Sequence, residues 1–220
     1  KFAMPFCQYR LDKSIEVKLF ELQENGSFLS EVTIEVTPFR ATEKGKTTDD
    51  IQKTHDVLLQ SFKRVIDKNP DTVLLIAGNP WKNDFAIYQQ IIDQENLAQN
   101  IVLHTKFIQH SDVEHYYCAS DLVVLPYKKI YQSGVLMMAL SYLRPVLVSD
   151  LPPLQNIVID NETGFLFKSE DTYDLAEKLN FILSDKESLD RVRINGARLV
   201  NEKYGWDEIG RLTKNAYQTL

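Results

Sequence analysis

A chain of 220 residues, 44% hydrophobic and with 8 Gly and 8 Pro, has enough apolar content for one sizeable core and an appendage, but not for two full α/β domains. A net charge of −6, from 25 Lys and Arg against 31 Asp and Glu, argues against nonspecific nucleic-acid binding, which needs clustered cations. The longest apolar stretch, Val135–Leu140, falls far short of the ~20 residues that span a bilayer, so a soluble chain is expected.

The opening residues, Lys1 to Phe6, have neither a signal-peptide run nor a cleavage pattern and read as a cut inside a longer protein. The two cysteines, Cys7 and Cys118, lie far apart without a CxxC, which argues against a disulfide framework or structural zinc and for idle thiols in a reducing cytoplasm. Ser14–Leu22 and Val32–Val36 alternate apolar with polar residues around Glu24-Asn25-Gly26, a spacing that predicts a β-hairpin. From about Thr48 the pattern changes. Asp50–Lys68 carries Ile51, Val57, Leu58, Phe62, Val65 and Ile66 at helical spacings and stops at Asn69-Pro70. The apolar run Val73–Ala77, a helix over Asp84–Gln94 and the run Ile101–Leu103 make one β-α-β unit. Ser111 and Asp112 are placed to cap a short helix through Cys118. Leu122–Leu125 and Pro145–Val148 read as buried strands flanking a helix over Val135–Leu143, and Gly164–Phe167 as a further short strand. Thr172–Leu183, Lys186–Glu202 and Trp206–Leu220 follow as charged amphipathic helices. Apolar runs alternating with helical segments predict a buried parallel sheet.

In such sheets ligands bind beyond the carboxyl ends of the strands. Those ends read Thr37-Pro38-Phe39-Arg40, Gly78-Asn79-Pro80, Leu103-His104-Thr105, Leu125-Pro126-Tyr127 and Ser149-Asp150-Leu151. The sharpest feature nearby is Tyr131-Gln132-Ser133-Gly134-Val135, which leaves a loop and opens an apolar helix. Free amides and the positive dipole end at a helix start favour an anion, and Gly134 lets a phosphate approach the backbone. The plainer alternative makes Ser133 only an N-cap and Gly134 only a turn residue. Arg40, Lys44 and Lys46 follow a strand candidate and are either counter-charges for that anion or a solvated basic loop. His104 is placed to line the crevice, whereas His55, His110 and His115 lack the spacing of a metal pair. GxSxG, GxGxxG and Walker loops are absent from the sequence, which removes the strongest motif arguments for hydrolase, dinucleotide and P-loop classes.

The residues from Phe107 to Phe167 resemble retaining glycosyltransferases of the GT-B fold, of the family 4 type that uses nucleotide-diphosphate sugars. The resemblance is carried by Ser111–Tyr127, by Gln132–Val135 continuing through Arg144–Asp150, by Asn161–Phe167 and by Tyr204-Gly205-Trp206. It covers the chain from about Arg40 to its end, so it implies the donor-binding domain only. It implies that Arg40 and Lys44 grip the donor diphosphate, with Lys46 as a rival because the spacing is short. It also implies that Ser133, Gly134 and Val135 offer amides to the distal phosphate, and that Phe107 and Ile108 meet the base. The family's paired glutamates have no counterpart: Ile130 and Met138 occupy those places. A buried Met138 at the ribose position accepts no hydroxyl.

The expectation is therefore an α/β fold, a doubly wound, Rossmann-like parallel sheet forming one half of a GT-B glycosyltransferase. Residues 1–30 form an N-terminal extension or hairpin, 31–220 the nucleotide-sugar-binding domain, and the chain ends in helices. The implied activity is transfer of a hexosyl group from a UDP- or GDP-sugar, with retention, to an acceptor held by a missing N-terminal domain. No cofactor or metal, no nucleic-acid partner and no named catalytic residue is implied. The protein is expected in the cytoplasm, with peripheral membrane association only through the missing domain, and the fragment alone is expected to be inactive. The alternative is a noncatalytic GT-B-like module that binds a nucleotide or a partner protein.

Overall fold

The computed structural model describes residues 31–36, 49–78 and 86–218. The arm Ser14–Leu22 and the cationic residues Arg40, Lys44 and Lys46 lie outside them. The chain builds β1 (Glu31–Val36), α1 (Asp49–Lys68), β2 (Thr72–Ala77), α2 (Ala86–Gln94), β3 (Ile101–His104), α3 (Val113–Cys118) and β4 (Leu122–Leu125). It continues with α4 (Gly134–Ser141), β5 (Val146–Ser149), α5 (Pro152–Gln155), β6 (Phe165–Phe167), α6 (Thr172–Ser184), α7 (Lys186–Tyr204) and α8 (Trp206–Gln218). The strands form one six-stranded sheet in the order β3-β2-β1-β4-β5-β6, parallel throughout. This is the doubly wound arrangement.

The near-continuous apolar runs of β2, β4 and β5 are explained by burial at every position, as a sheet covered on both faces requires. Alternate side chains serve opposite layers. Leu122, Val124 and Leu147 join a core with Phe62 and Val65 of α1 and Leu175, Leu179 and Ile182 of α6. Val123, Leu125, Val146 and Val148 face the other way and pack with Val135, Leu136, Ala139 and Leu140 of α4. Asp171 caps α6 by accepting from the amides of Tyr173 and Asp174, and Asp185 caps α7 through the Ser188 amide.

The hairpin reading of Val32–Val36 is corrected. This segment is an interior strand of the parallel sheet: β2 pairs with it from Glu31 to Val36 on one side, and β4 pairs at Thr33 and Ile34 on the other. With both edges engaged there, it has no free edge for an antiparallel partner. Three smaller points differ as well. A one-turn helix at Pro152–Gln155 was not anticipated. Asp112 stands at the N-cap of α3 with right-handed helical dihedrals and no capping bond, its carboxylate accepting instead from the Ser111 hydroxyl at 2.9 Å. Cys118 is disulfide-bonded rather than an idle thiol, since distance along the sequence says nothing of distance in space.

Gly164 enters β6 where a Cβ atom stands 2.6 Å from Val158 Cγ1 and 2.8 Å from Val146 Cγ2, both in the buried α4 layer. We expect Gly164→Ala to lower the unfolding free energy by about 1–3 kcal/mol through overpacking, measured by urea denaturation. An unchanged midpoint contradicts this packing.

Candidate functional site

Strand order reverses between β1 and β4, and the helices after them, α1 and α4, pack on opposite faces of the sheet, the arrangement in which ligands bind at the carboxyl ends of the strands. Ile34 pairs with Val123, which brings the ends of β1 and β4 out of the sheet side by side. One outgoing segment is 37–48, which carries Arg40 and Lys44; the other is 126–133, which leads into α4.

The start of α4 is built from Ser133. Its backbone is extended (φ −124, ψ 104), and its Oγ accepts from the Leu136 amide at 3.1 Å. Ser133 is thus an N-cap, as the plainer reading holds. Helix geometry leaves the amides of Gly134 and Val135 without an acceptor inside the helix. Gly134 is another matter. It is not among the residues with positive φ, and a Cβ placed on it meets nothing within 4 Å. Neither the turn nor the packing calls for glycine here, so the turn-residue alternative does not account for Gly134. The Val135 side chain points into the α4 core layer, so only its backbone is placed to serve a ligand.

Met138 corrects another expectation: it is 38% exposed, not buried. It lies one turn beyond Gly134, and with Ser141 these residues form the open stripe of an otherwise buried helix. A ligand running along that stripe meets a thioether rather than a carboxylate. Ile130 packs partly buried against the α4 core layer. Phe107 is exposed and Ile108 half-buried in the loop after β3, on the edge strand. Strands β2 and β1 separate that strand from β4. Three inter-strand steps amount to roughly 14 Å, so a ligand touching both Phe107 and Gly134 is extended. His104 is buried, with Nδ1 2.9 Å from the Tyr116 hydroxyl and the two rings edge to face, which places it in the framework rather than the crevice lining.

Sequence reasoning missed a set of polar groups around the 126–133 loop. The Tyr127 hydroxyl lies 3.3 Å from Ser133 Oγ, and the Tyr127 carbonyl accepts from Ser169 Oγ at 3.2 Å. Lys128 Nζ donates to Glu170 at 2.8 Å. Below them, Tyr117 is fully buried and stacks on Tyr142 with centroids 5.1 Å apart. Burial, reinforced by Tyr127 and Tyr142, pushes its phenol well above the ordinary value and keeps it neutral. The Tyr-Lys dipeptide after β4 was the available signal, whereas the partners on the loop after β6 depend on tertiary contact. Among the described residues no group of three or more His, Cys, Asp or Glu could hold a metal, and no helix is long and apolar enough to cross a membrane.

A cavity of about 310 Å³ lies elsewhere, at the amino ends of β4 and β5, against Asp121, Arg144, Lys186 and Arg193. Burial first, and then the like charge of Arg193, lower the Arg144 pKa. Being at the opposite end of the sheet, this hollow is separate from the switch-point crevice.

Residues 49–199 match the family described as glycosyl transferases group 1. The chain is 29% identical over 164 residues to a GDP-mannose:glycolipid 4-beta-D-mannosyltransferase of Xanthomonas campestris, covering 74% of this chain and 44% of that protein. It is 26% identical over 165 residues to the capsular polysaccharide biosynthesis glycosyltransferase CapM of Staphylococcus aureus, covering 74% and 42%. The chain thus spans less than half the length of the curated relatives it matches. The Anabaena protein HepE, solved in complex with UDP and glucose, shares the fold with a TM-score of 0.74 at 16% identity, covering 92% of this chain and 52% of that one. The C-terminal domain of the group 1 protein LpcC from Francisella tularensis gives a TM-score of 0.67 at 20% identity, covering 84% and 92%. The parallel α/β sheet is therefore that of the C-terminal domain of GT-B glycosyltransferases.

Removing the cap tests how α4 begins. Ser133→Ala is expected to lower the unfolding free energy by about 1 kcal/mol, read from the shift in urea midpoint. No shift means that the Leu136 amide does not depend on this hydroxyl.

Proposed function

The chain belongs to the group 1 glycosyl transferases, and from that premise we propose that it is the donor-binding half of a family 4 type GT-B enzyme. The donor is a nucleotide-diphosphate sugar, UDP- or GDP-linked, and the transferred group is a hexose. Transfer proceeds with retention to an acceptor held by a further, N-terminal domain, and the present chain alone is inactive. Any membrane association is peripheral and made through that other domain. No cofactor or metal takes part.

The observation that carries this reading is Gly134. A glycine that neither φ nor packing requires, at the start of a capped helix beside the switch point, leaves open space where an anion meets the Gly134 and Val135 amides. Arg40 and Lys44, on the segment leaving β1, supply the opposing cations. Charge grows on the diphosphate as the glycosidic bond breaks. Fixed amides, the α4 dipole and these cations favour that state over the bound donor, which is how such a site accelerates departure of the nucleotide. Phe107 and Ile108 take the base. HepE, of the same fold, was solved with UDP and glucose, and the Xanthomonas relative is named for GDP-mannose; both fit a nucleotide-sugar donor.

A second reading rests on a specific departure. Ile130 and exposed Met138 occupy the places of the family's glutamates, so no carboxylate from α4 reaches the ribose or the sugar. A noncatalytic nucleotide- or partner-binding module follows if nothing else supplies that role. Donor hydrolysis by the full-length parent separates the two, since a binding module turns nothing over.

Gly134→Val tests the site itself. Its side chain enters open space, so the unfolding free energy should change by less than about 1 kcal/mol, the span of ordinary helix propensities. Calorimetric affinity for the preferred UDP- or GDP-sugar should fall at least roughly tenfold, about 1.4 kcal/mol. A folded variant that binds the donor as the unmodified chain does removes the helix-start phosphate site.

A further inference from the structure

Glu170 adopts a left-handed backbone, φ 64, that disfavours any residue with a Cβ. The turn that contains it, 168–171, follows β6 and leads into α6. It is fixed at several points. The Asp150 carboxylate accepts from the Ser169 amide at 2.8 Å, and Asp171 caps α6. Ser169 Oγ donates to the Tyr127 carbonyl at 3.2 Å, and the next residue, Glu170, accepts from Lys128 Nζ at 2.8 Å. Two successive residues of this turn therefore hold two successive residues of the loop that opens α4. The Lys128 side chain is 18% exposed and that of Glu170 58%, so the loop's lysine is largely covered and meets the carboxylate at the surface. The chain of contacts continues, because the Tyr127 hydroxyl lies against Ser133 Oγ, which caps the helix start. A non-glycine residue held in an unfavourable conformation, in a turn fixed by Asp150 and Asp171, is a feature that points to function.

We infer that the Glu170–Lys128 ion pair is a positioning clasp for the donor diphosphate. It holds the 126–133 loop so that the Gly134 and Val135 amides face the crevice with the Lys128 charge fixed behind them. This deepens the donor-binding reading above and rests on it. Glu170 and Lys128 act through the loop and are positioning residues.

Two variants separate positioning from stability because they share one loss and differ in another. Glu170→Gly removes the carboxylate and relieves the left-handed strain, whereas Glu170→Gln removes only the charge and keeps the strain. Unfolding midpoints of the full chain should therefore rank Gly above Gln. Affinities for UDP and GDP, measured by calorimetry, should fall alike in both variants, by about fivefold for whichever diphosphate the unmodified chain binds. The double variant Lys128→Met with Glu170→Gly should bind no more weakly than Lys128→Met alone, as expected of two groups acting as one pair. Unchanged affinity in Glu170→Gly, or affinities that follow the midpoints instead of the charge, overturns the clasp while leaving the donor reading intact. Failure of the unmodified chain to bind either diphosphate defeats the donor reading and the clasp with it.

Discussion

A parallel sheet with helices on both faces has one place where successive connections part to opposite sides, and in this chain it lies between β1 and β4. Everything proposed for function depends on that reversal. It brings the ends of two adjacent strands out together, one followed by the segment with Arg40 and Lys44, the other by the loop that begins α4. The same covering of both faces buries β2, β4 and β5 completely and leaves their carboxyl ends as the natural place for exposed polar chemistry.

At that place the backbone does most of the work. Ser133 satisfies the Leu136 amide, and the helix leaves the two amides before it for a ligand. The side chains around them are arranged to hold rather than to react: Tyr127 against Ser133, Lys128 against Glu170, Ser169 between Tyr127 and Asp150. Such an arrangement suits stabilisation of a departing diphosphate, where preorganised dipoles matter more than proton transfer. The open stripe of α4 carries no carboxylate, and exposed Met138 stands on it where the resemblance implies a glutamate.

Much of this was legible in the sequence, and the parts that were not share a cause. Leu122–Leu125 and Val146–Ser149 announced themselves as strands because burial on both faces forces a continuous apolar run. Val32–Val36 was misread because alternation is equally the mark of a hairpin arm, and only pairing with β2 and β4 decides between them. Met138 was expected inside because α4 is apolar nearly all round, yet one stripe of it stays open. At the site, Ser133 and Gly134 stood out through their position before an apolar run. Glu170 did not, since neither its left-handed backbone nor its contact with Lys128, 42 residues away, leaves a local signature. Asp112 shows the converse: a capping residue in the right place that makes no cap, its backbone already holding helical dihedrals where a capping residue is extended.

Binding of a nucleoside diphosphate at the start of α4 can be followed residue by residue, by amide NMR of the isotopically labelled full chain titrated with UDP and GDP. The largest shifts should fall on Gly134, Val135 and Leu136, with smaller ones along Tyr127 and Lys128. Shifts centred instead on Arg144 and Arg193, at the opposite end of the sheet, or none with either diphosphate, would contradict it.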